Sequence, residues 1–482
     1  MTEPVLRNYI GGRWQASKSS LLLDVEDPAE ATAIARVPVT TSEEVDAAVR
    51  AAQRAFLDWP QAPPPERVQP LFRLKQLLEE RREELAATIT CENGKTLEEA
   101  RGEVRRTIDN VEVACGIPSL MQGRSLPQIA HGIDEVAERV PLGVFAVIPP
   151  FNFPAMVPSW FWPYAVACGN AAILKPSELV PVTSQRLFEL IDEAGFPPGV
   201  LSLVNGDRTV SEQLITHPGV AGISSVTSTP TAKAVYALAA QHGKRVQCGG
   251  GAKNFIVVMP DADLEKSVPN IMDSVYGSAG QRCLAGSNVV AIGAVAEEIV
   301  PALLEAASRL VVGNGRDEGV TMGPLISRAA RERSVSYIEK GVEEGGQLLL
   351  DGRASPVPAR GHFLGPTVFD QVRPEMAIAR DEIFGPVMSI MRAPTLERAV
   401  EIINAGPYGN SAIIYTRSGG AAREFAAQVD CGEVGVNVGL AAPMAFFPFG
   451  GRKESFLGVL HGQGQDAVDF FTDKKIVIQR WW

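Results

Sequence analysis

"GVFAVIPPFNFPAMVPSWFWPYAVACGNAAILKPSE", residues 143–178, carries no charged side chain before Lys175, and the uncharged stretch reaches back to Arg139. That is long enough for a membrane span. Its prolines argue against one. Pro149, Pro150, Pro154, Pro158 and Pro163 recur every few residues, and each interior proline removes a helical hydrogen bond at a cost of about 3 kcal/mol. The stretch is instead predicted as a buried strand (GVFAVIPP), an irregular apolar segment around Trp160 and Trp162, and a second buried strand (AAILKPSE). Asn152 and Lys175 then stand just beyond strand ends, where ligands bind in open α/β sheets.

On the amino-terminal side, TSEEVDAAVRAAQRAFLDW opens with a capping-box pattern, Thr41 and Glu44, and puts Val45, Ala48, Val49, Ala52 and Phe56 on one helical face. A charged, helix-favouring stretch from Glu66 to Ala114 predicts two or three long helices. Beyond Lys175, short β-branched runs alternate with helical ones: PVTSQRLFELIDEAG, VLSLVNG, VAGISSVTS, TPTAKAVYALAAQHG. Such alternation marks parallel strands joined by crossover helices. A second series starts near KNFIVVMPDAD and runs through SNVVAIG, MSIMRA, SAIIYTR and GEVGVNV, so two α/β lobes are expected.

The chain has 482 residues, 45% hydrophobic and 21% charged, enough for more than one core. A net charge of −11 with no Lys/Arg cluster argues against a nucleic-acid partner. MTEPVLRNYIGGRW has neither a basic nor an apolar signal-peptide region, so a cytoplasmic location and no membrane partner are expected. Cysteines 91, 115, 168, 248, 283 and 431 form no CxxC pair, against a disulfide framework or a zinc site.

Three places could carry chemistry. GSAGQRCLAGS sets Cys283 among small residues beside Arg282, and an adjacent cation can favour the nucleophilic thiolate; the alternative is a buried structural cysteine. Asn152 could donate to an oxyanion or be a turn residue. Lys175 and Glu178 could bond ribose hydroxyls or line a solvated loop. No GxGxxG fingerprint is present.

In order and spacing these pieces resemble the aldehyde dehydrogenase superfamily. PFNFP is similar to its oxyanion asparagine motif, LKPSE to its adenosine-ribose motif, GQRC to its nucleophile, and EIFGPV, with Glu382 and Phe384, to its nicotinamide-ribose motif. PFNFPAMVPSWFWPYAVACGN, GGAKNFIVVMPDAD and GQRCLAGS narrow the resemblance to the CoA-acylating methylmalonate-semialdehyde dehydrogenase branch. The resemblance implies an NAD-binding domain (1–121 and 142–248), a catalytic domain (249–450), and a small β oligomerisation extension (122–141 and 468–482) serving a homodimer or homotetramer. It implies Cys283 as nucleophile, Asn152 and the Cys283 N–H as oxyanion donors, and Lys175, Glu178, Ser228, Glu382 and Phe384 as NAD contacts. Glu178 is expected to favour NAD over NADP by repelling a 2′-phosphate.

Hydrolytic members carry a general-base glutamate two residues before a Gly-Gly pair. Here the stretch is RVQCGGGAKN, so the position falls at Cys248 or Gln247, without a carboxylate. A thioester lacking that base is expected to await another thiol, coenzyme A. Arg106 aligns with an arginine that joins the one before the nucleophile, here Arg282, in holding a substrate carboxylate; Arg105 competes for the assignment. One departure is Thr227, where the family has a glycine ahead of its cofactor-side helix. Two other readings stay open: a non-acylating aldehyde dehydrogenase, which would need another base, and a catalytically silent binding protein of the same fold.

Overall fold

The computed structural model describes residues 3–482. The uncharged stretch forms strand Val144–Ile148 and strand Ala171–Leu174, both fully buried, as the apolar runs dictate. Between them the expected irregular segment is only partly so: a 3-10 turn at Pro158–Trp160 is followed by helix Trp162–Ala167. Pro163 permits this because it sits in the first turn, where its missing N–H has no helical partner to lose.

Helix Ser42–Asp58 is closed by the reciprocal Thr41 and Glu44 capping box. The charged stretch that follows resolves into Gln69–Glu80, Arg82–Asn93 and Leu97–Cys115. The last is capped by a second box, Thr96 with Glu99.

The first lobe is an eight-stranded sheet whose five central strands are parallel. Their spatial order is Leu201–Leu203, Ala171–Leu174, Val144–Ile148, Val220–Val226, Arg245–Gly249. The winding direction reverses between Val144–Ile148 and Val220–Val226, which opens a crevice at their carboxyl ends. The outer edge of Arg245–Gly249 is covered by the late segment Phe456–Leu457, antiparallel. Helix Gly464–Phe471 also packs into this lobe: Asn170 Nδ2 donates to Phe471 O (2.7 Å) and the Phe471 ring meets Phe145 edge-on.

The second lobe has seven strands, ordered Gln347–Leu350, Thr367–Asp370, Val387–Ala393, Asn288–Ile292, Phe255–Val258, Ser411–Tyr415, Glu433–Val436, all parallel except the first pair. A separate three-stranded sheet joins Arg124–Ala130, Ile133–Pro141 and Thr472–Arg480. Residues 468–471 are helical and precede it. It leaves Leu126, Ile129, Ile476 and Ile478 exposed. No helix among the described residues is long and apolar enough to cross a membrane.

Candidate active site

The carboxyl edge of the first sheet faces the amino edge of the second. Asn152, Lys175 and Ser228 follow strands of the first lobe, as expected. Cys283 departs from the strand-end rule, because it precedes strand Asn288–Ile292. The two edges touch where Asn152 Nδ2 donates to Gln281 O, 3.0 Å, two residues before Cys283.

Cys283 is held by its own carbonyl, which accepts from Asn254 Nδ2 (2.7 Å) and Asn410 Nδ2 (3.0 Å). The loop leading to it is strained: Ser278 and Ala279 lie at φ 50° and 54°, a region that costs non-glycine residues on the order of 1–3 kcal/mol and clusters at functional sites. Gly280 continues the left-handed path at φ +74°, and a Cβ there would lie 2.3 Å from Gly385 O.

The thiol opens on two cavities. One, of about 340 Å³, is lined by Arg106, Phe153, Met156, Trp160, Arg282 and Phe449 among others. The second is lined by Val226, Gln247, Gly249, Gly250 and Ser455, on the crevice side of the first sheet. Burial pushes the Cys283 thiol up to about 12, with Glu433 and Glu382 adding to the shift and the Cys283 and Leu284 N–H groups opposing it. Arg282 does not supply the expected activating cation. Its guanidinium is bonded to Glu99 Oε1 (3.2 Å) and to Asp273 Oδ1 (3.3 Å).

One helix, Leu97–Cys115, organises three parts of this site. Glu99 binds Arg282 and accepts from Ser278 N (2.6 Å), fixing the strained loop. Glu103 accepts from Ala155 N (2.8 Å) and Met156 N (3.2 Å), and its other oxygen pairs with Lys95 Nζ at 2.6 Å. Lys95 Nζ also donates to Asn152 O at 2.7 Å, so the buried pair grips the Asn152 loop from both sides. Burial lowers the Lys95 ammonium pKa, and Glu103 opposes the shift. Arg106, a turn further on, lines the larger cavity. Its guanidinium donates to Met444 Sδ (2.8 Å) and Ala442 O (3.4 Å), and no carboxylate pairs with it among the described residues. Arg105 points elsewhere, to Glu79 (2.7 Å) and Asp109 (2.8 Å). Of the two neighbours, only Arg106 lines the cavity that Cys283 also lines.

On the crevice side, Lys175 is 4% exposed and 3.3 Å from Glu178 Oε2. Ser228 precedes helix Thr229–Gln241 and makes no capping bond, so the first amides of that helix are left without a side-chain partner from it. Thr227 turns its hydroxyl onto Ser228 O (3.3 Å). Glu382 accepts from Ala252 N (2.9 Å), and a Cβ on Gly251 would lie 2.4 Å from its other oxygen. Phe384 adopts φ 59° and packs edge-on against Phe151. Of the two positions proposed for the missing base, Gln247 lines the smaller cavity, and Cys248 is buried with its Sγ accepting from Ser225 Oγ at 3.1 Å.

Lys95, Glu99, Glu103, Asn254, Asn410 and Glu433 were not anticipated. For Lys95 and Glu103 a signal existed: they flank a capping box in GKTLEEARGE, and Glu103 falls on the same helical face as Ala100, Val104 and Thr107.

A cysteine set between a cavity that Arg106 lines and a crevice at a sheet switch point suits an oxidoreductase with a covalent intermediate. The family model for the aldehyde dehydrogenase family matches residues 14–477, and the chain belongs to that family. It is 51% identical over 477 residues to malonate-semialdehyde dehydrogenase 2 of Geobacillus kaustophilus, covering 99% of each chain. It is 48% identical over 476 residues to malonate-semialdehyde dehydrogenase of Halalkalibacterium halodurans, covering 99% and 98%. The structure superposes on a putative methylmalonate-semialdehyde dehydrogenase from Sinorhizobium meliloti, crystallised with NAD, with a TM-score of 0.98 at 40% identity, covering 100% and 98%.

Proposed function

We propose that this protein oxidises a malonate- or methylmalonate-semialdehyde-type substrate with NAD through a Cys283 thioester, and passes the acyl group, after loss of CO₂, to coenzyme A. The observation that carries this reading is the cavity in which Arg106, with no carboxylate partner among the described residues, faces the same space as Cys283.

The residues present fit a dinucleotide. The buried ammonium of Lys175 with Glu178 suits ribose hydroxyls, the uncapped start of helix Thr229–Gln241 suits phosphate, and the close glycine at 251 leaves Glu382 room to meet a second ribose. NAD, when bound, supplies the hydride acceptor. The chain's own groups do the rest: the Cys283 sulfur adds to the aldehyde carbon, and Asn152 with the Cys283 N–H stabilises the oxygen that becomes negative. Arg106 holds the distal carboxylate, with Arg282 sharing part of a charge already committed to Glu99. The bond to the distal carboxylate then breaks, its electron pair moves into the thioester carbonyl as CO₂ departs, and the α-carbon takes a proton from solvent before coenzyme A attacks. The exposed apolar rows of the three-stranded sheet suit burial against another copy, a homodimer or homotetramer, and six free cysteines suit the reducing cytoplasm.

With no carboxylate on strand Arg245–Gly249, transfer of the acyl group to water is expected to be slow. Without coenzyme A, a burst of about one NADH per active site should precede a slow steady state, and adding coenzyme A should accelerate it. Rapid release of free acid without coenzyme A would favour the non-acylating reading.

Arg106→Leu is expected to lower kcat/KM for a semialdehyde acid by at least about 2 kcal/mol, the scale of a lost charge-assisted bond. Propionaldehyde, which lacks the carboxylate, should be little affected. Equal losses on both substrates would return Arg106 to a purely structural role.

A further inference from the structure

Glu433 opens strand Glu433–Val436 at the sheet edge that holds Cys283, in register with Ser411. Its backbone N–H donates to Asn410 O (2.9 Å), and Asn410 Nδ2 donates to Cys283 O (3.0 Å), so one residue ties the carboxylate's strand to the nucleophile. Glu433 Oε1 accepts from Gly450 N at 3.0 Å. Oε2 is buried with no hydrogen-bond partner, and no lysine or arginine pairs with the carboxylate among the described residues. Gly450 and Gly451 line both the smaller cavity beside Cys283 and an open cleft that Glu433 lines. A buried carboxylate with one oxygen unsatisfied and no cation is costly to keep. A bond to Gly450 alone would be served as well by a neutral amide.

We propose that Glu433 is the proton acceptor for Cys283, acting through one water lodged beside Gly450 and Gly451. As sulfur attacks the aldehyde carbon, the S–H bond breaks and the S–C bond forms. The carbonyl π pair moves to oxygen, and the thiol proton passes by way of the water to Glu433. Glu433 then releases the proton to solvent along the open cleft, leaving the carboxylate ready for the next turnover. Glu433 stands on another strand from residues 247 and 248, and its task is the thiol proton, not the activation of water for deacylation.

The electrostatics agree with that role. Burial pushes the Glu433 carboxyl up to about 8. The Glu433 charge in turn raises the Cys283 thiol, so the pair favours a single shared negative charge. The other groups around it are occupied or bear on the same thiol. Glu382 also raises Cys283. His461 is bonded to Asp466 (3.1 Å), Arg452 to Asp430 (2.7 Å), and burial holds the neighbouring Cys431 thiol up at about 12.

The inference rests on Cys283 as nucleophile but not on coenzyme A as acceptor. Glu433→Gln in the full chain keeps an oxygen for Gly450 and removes the basicity. Two rates are read from pH 6 to 9.5: alkylation of Cys283 by iodoacetamide, followed by mass spectrometry, and the single-turnover NADH burst with propionaldehyde and NAD, without coenzyme A. Both rates should fall by at least about tenfold near pH 7 and approach the wild type towards pH 9.5, where hydroxide takes the thiol proton, because attack on iodoacetamide needs the same deprotonation. Either rate unchanged or faster, or a loss by the same factor at every pH, would overturn the proposal. An intact wild-type burst that coenzyme A fails to accelerate would sink the acyl-acceptor reading and leave this one standing.

Discussion

Cys283→Ala is expected to reduce turnover by at least about 10⁴-fold, the scale of a deleted nucleophile, while NAD affinity stays near that of the wild type. The two outcomes separate because the nucleophile is not among the proposed cofactor contacts, most of which follow strands of the first lobe. Cys283 hangs from Asn254 and Asn410 of the second lobe, whereas Lys175, Glu178 and Ser228 follow strands of the first. Alanine removes a partly open thiol without disturbing the carbonyl that anchors the loop, so the fold should be unaffected. Turnover measured beside NAD binding by equilibrium dialysis checks the pair of claims. An active Cys283→Ala protein with an inactive Cys248→Ala counterpart would refute the assignment.

Lys95→Met should destabilise the protein by about 3–5 kcal/mol, the usual loss when one partner of a buried ion pair is removed and the other charge is stranded. Both side chains are 0% exposed, so water cannot rescue Glu103. Replacing both, Lys95→Met with Glu103→Leu, should recover part of the stability because no charge is then left uncompensated. Activity should not recover with it, since the backbone groups of Asn152, Ala155 and Met156 stay without their partners. Urea midpoints beside kcat/KM for the three proteins measure this. A double variant as active as the wild type would show that the pair serves stability alone.

Much of the fold was legible because it depends on local signals. Val144–Ile148 is a continuous apolar run between Gly143 and Pro149, Ala171–Leu174 is another between Asn170 and Lys175, and Thr41 with Glu44 marks a helix start within four residues. Helix Trp162–Ala167 was hidden because proline was read as a breaker, though in a first turn it costs nothing. The site was legible where motifs are contiguous and obscure where it depends on distant pairing. Arg282 next to Cys283 in sequence looked like an activating charge. Only the fold shows that Glu99 and Asp273 claim it. Glu433 read as one residue of a strand, because nothing local says that its carboxylate will be buried without a cation.

The placement of Phe456–Leu457 and helix Gly464–Phe471 in the first lobe bears on how the molecule is made. A ribosome emits Arg245–Gly249 roughly 200 residues before the segment that covers its edge, an interval of about 10–40 s at ordinary rates of synthesis. Throughout that wait the nascent first lobe presents a bare strand edge, and the apolar ground beneath Phe470 and Phe471 lies open. Completion of this lobe therefore awaits residues 456–471. A chain truncated before Phe456 should be insoluble, one that chaperones hold and proteases remove.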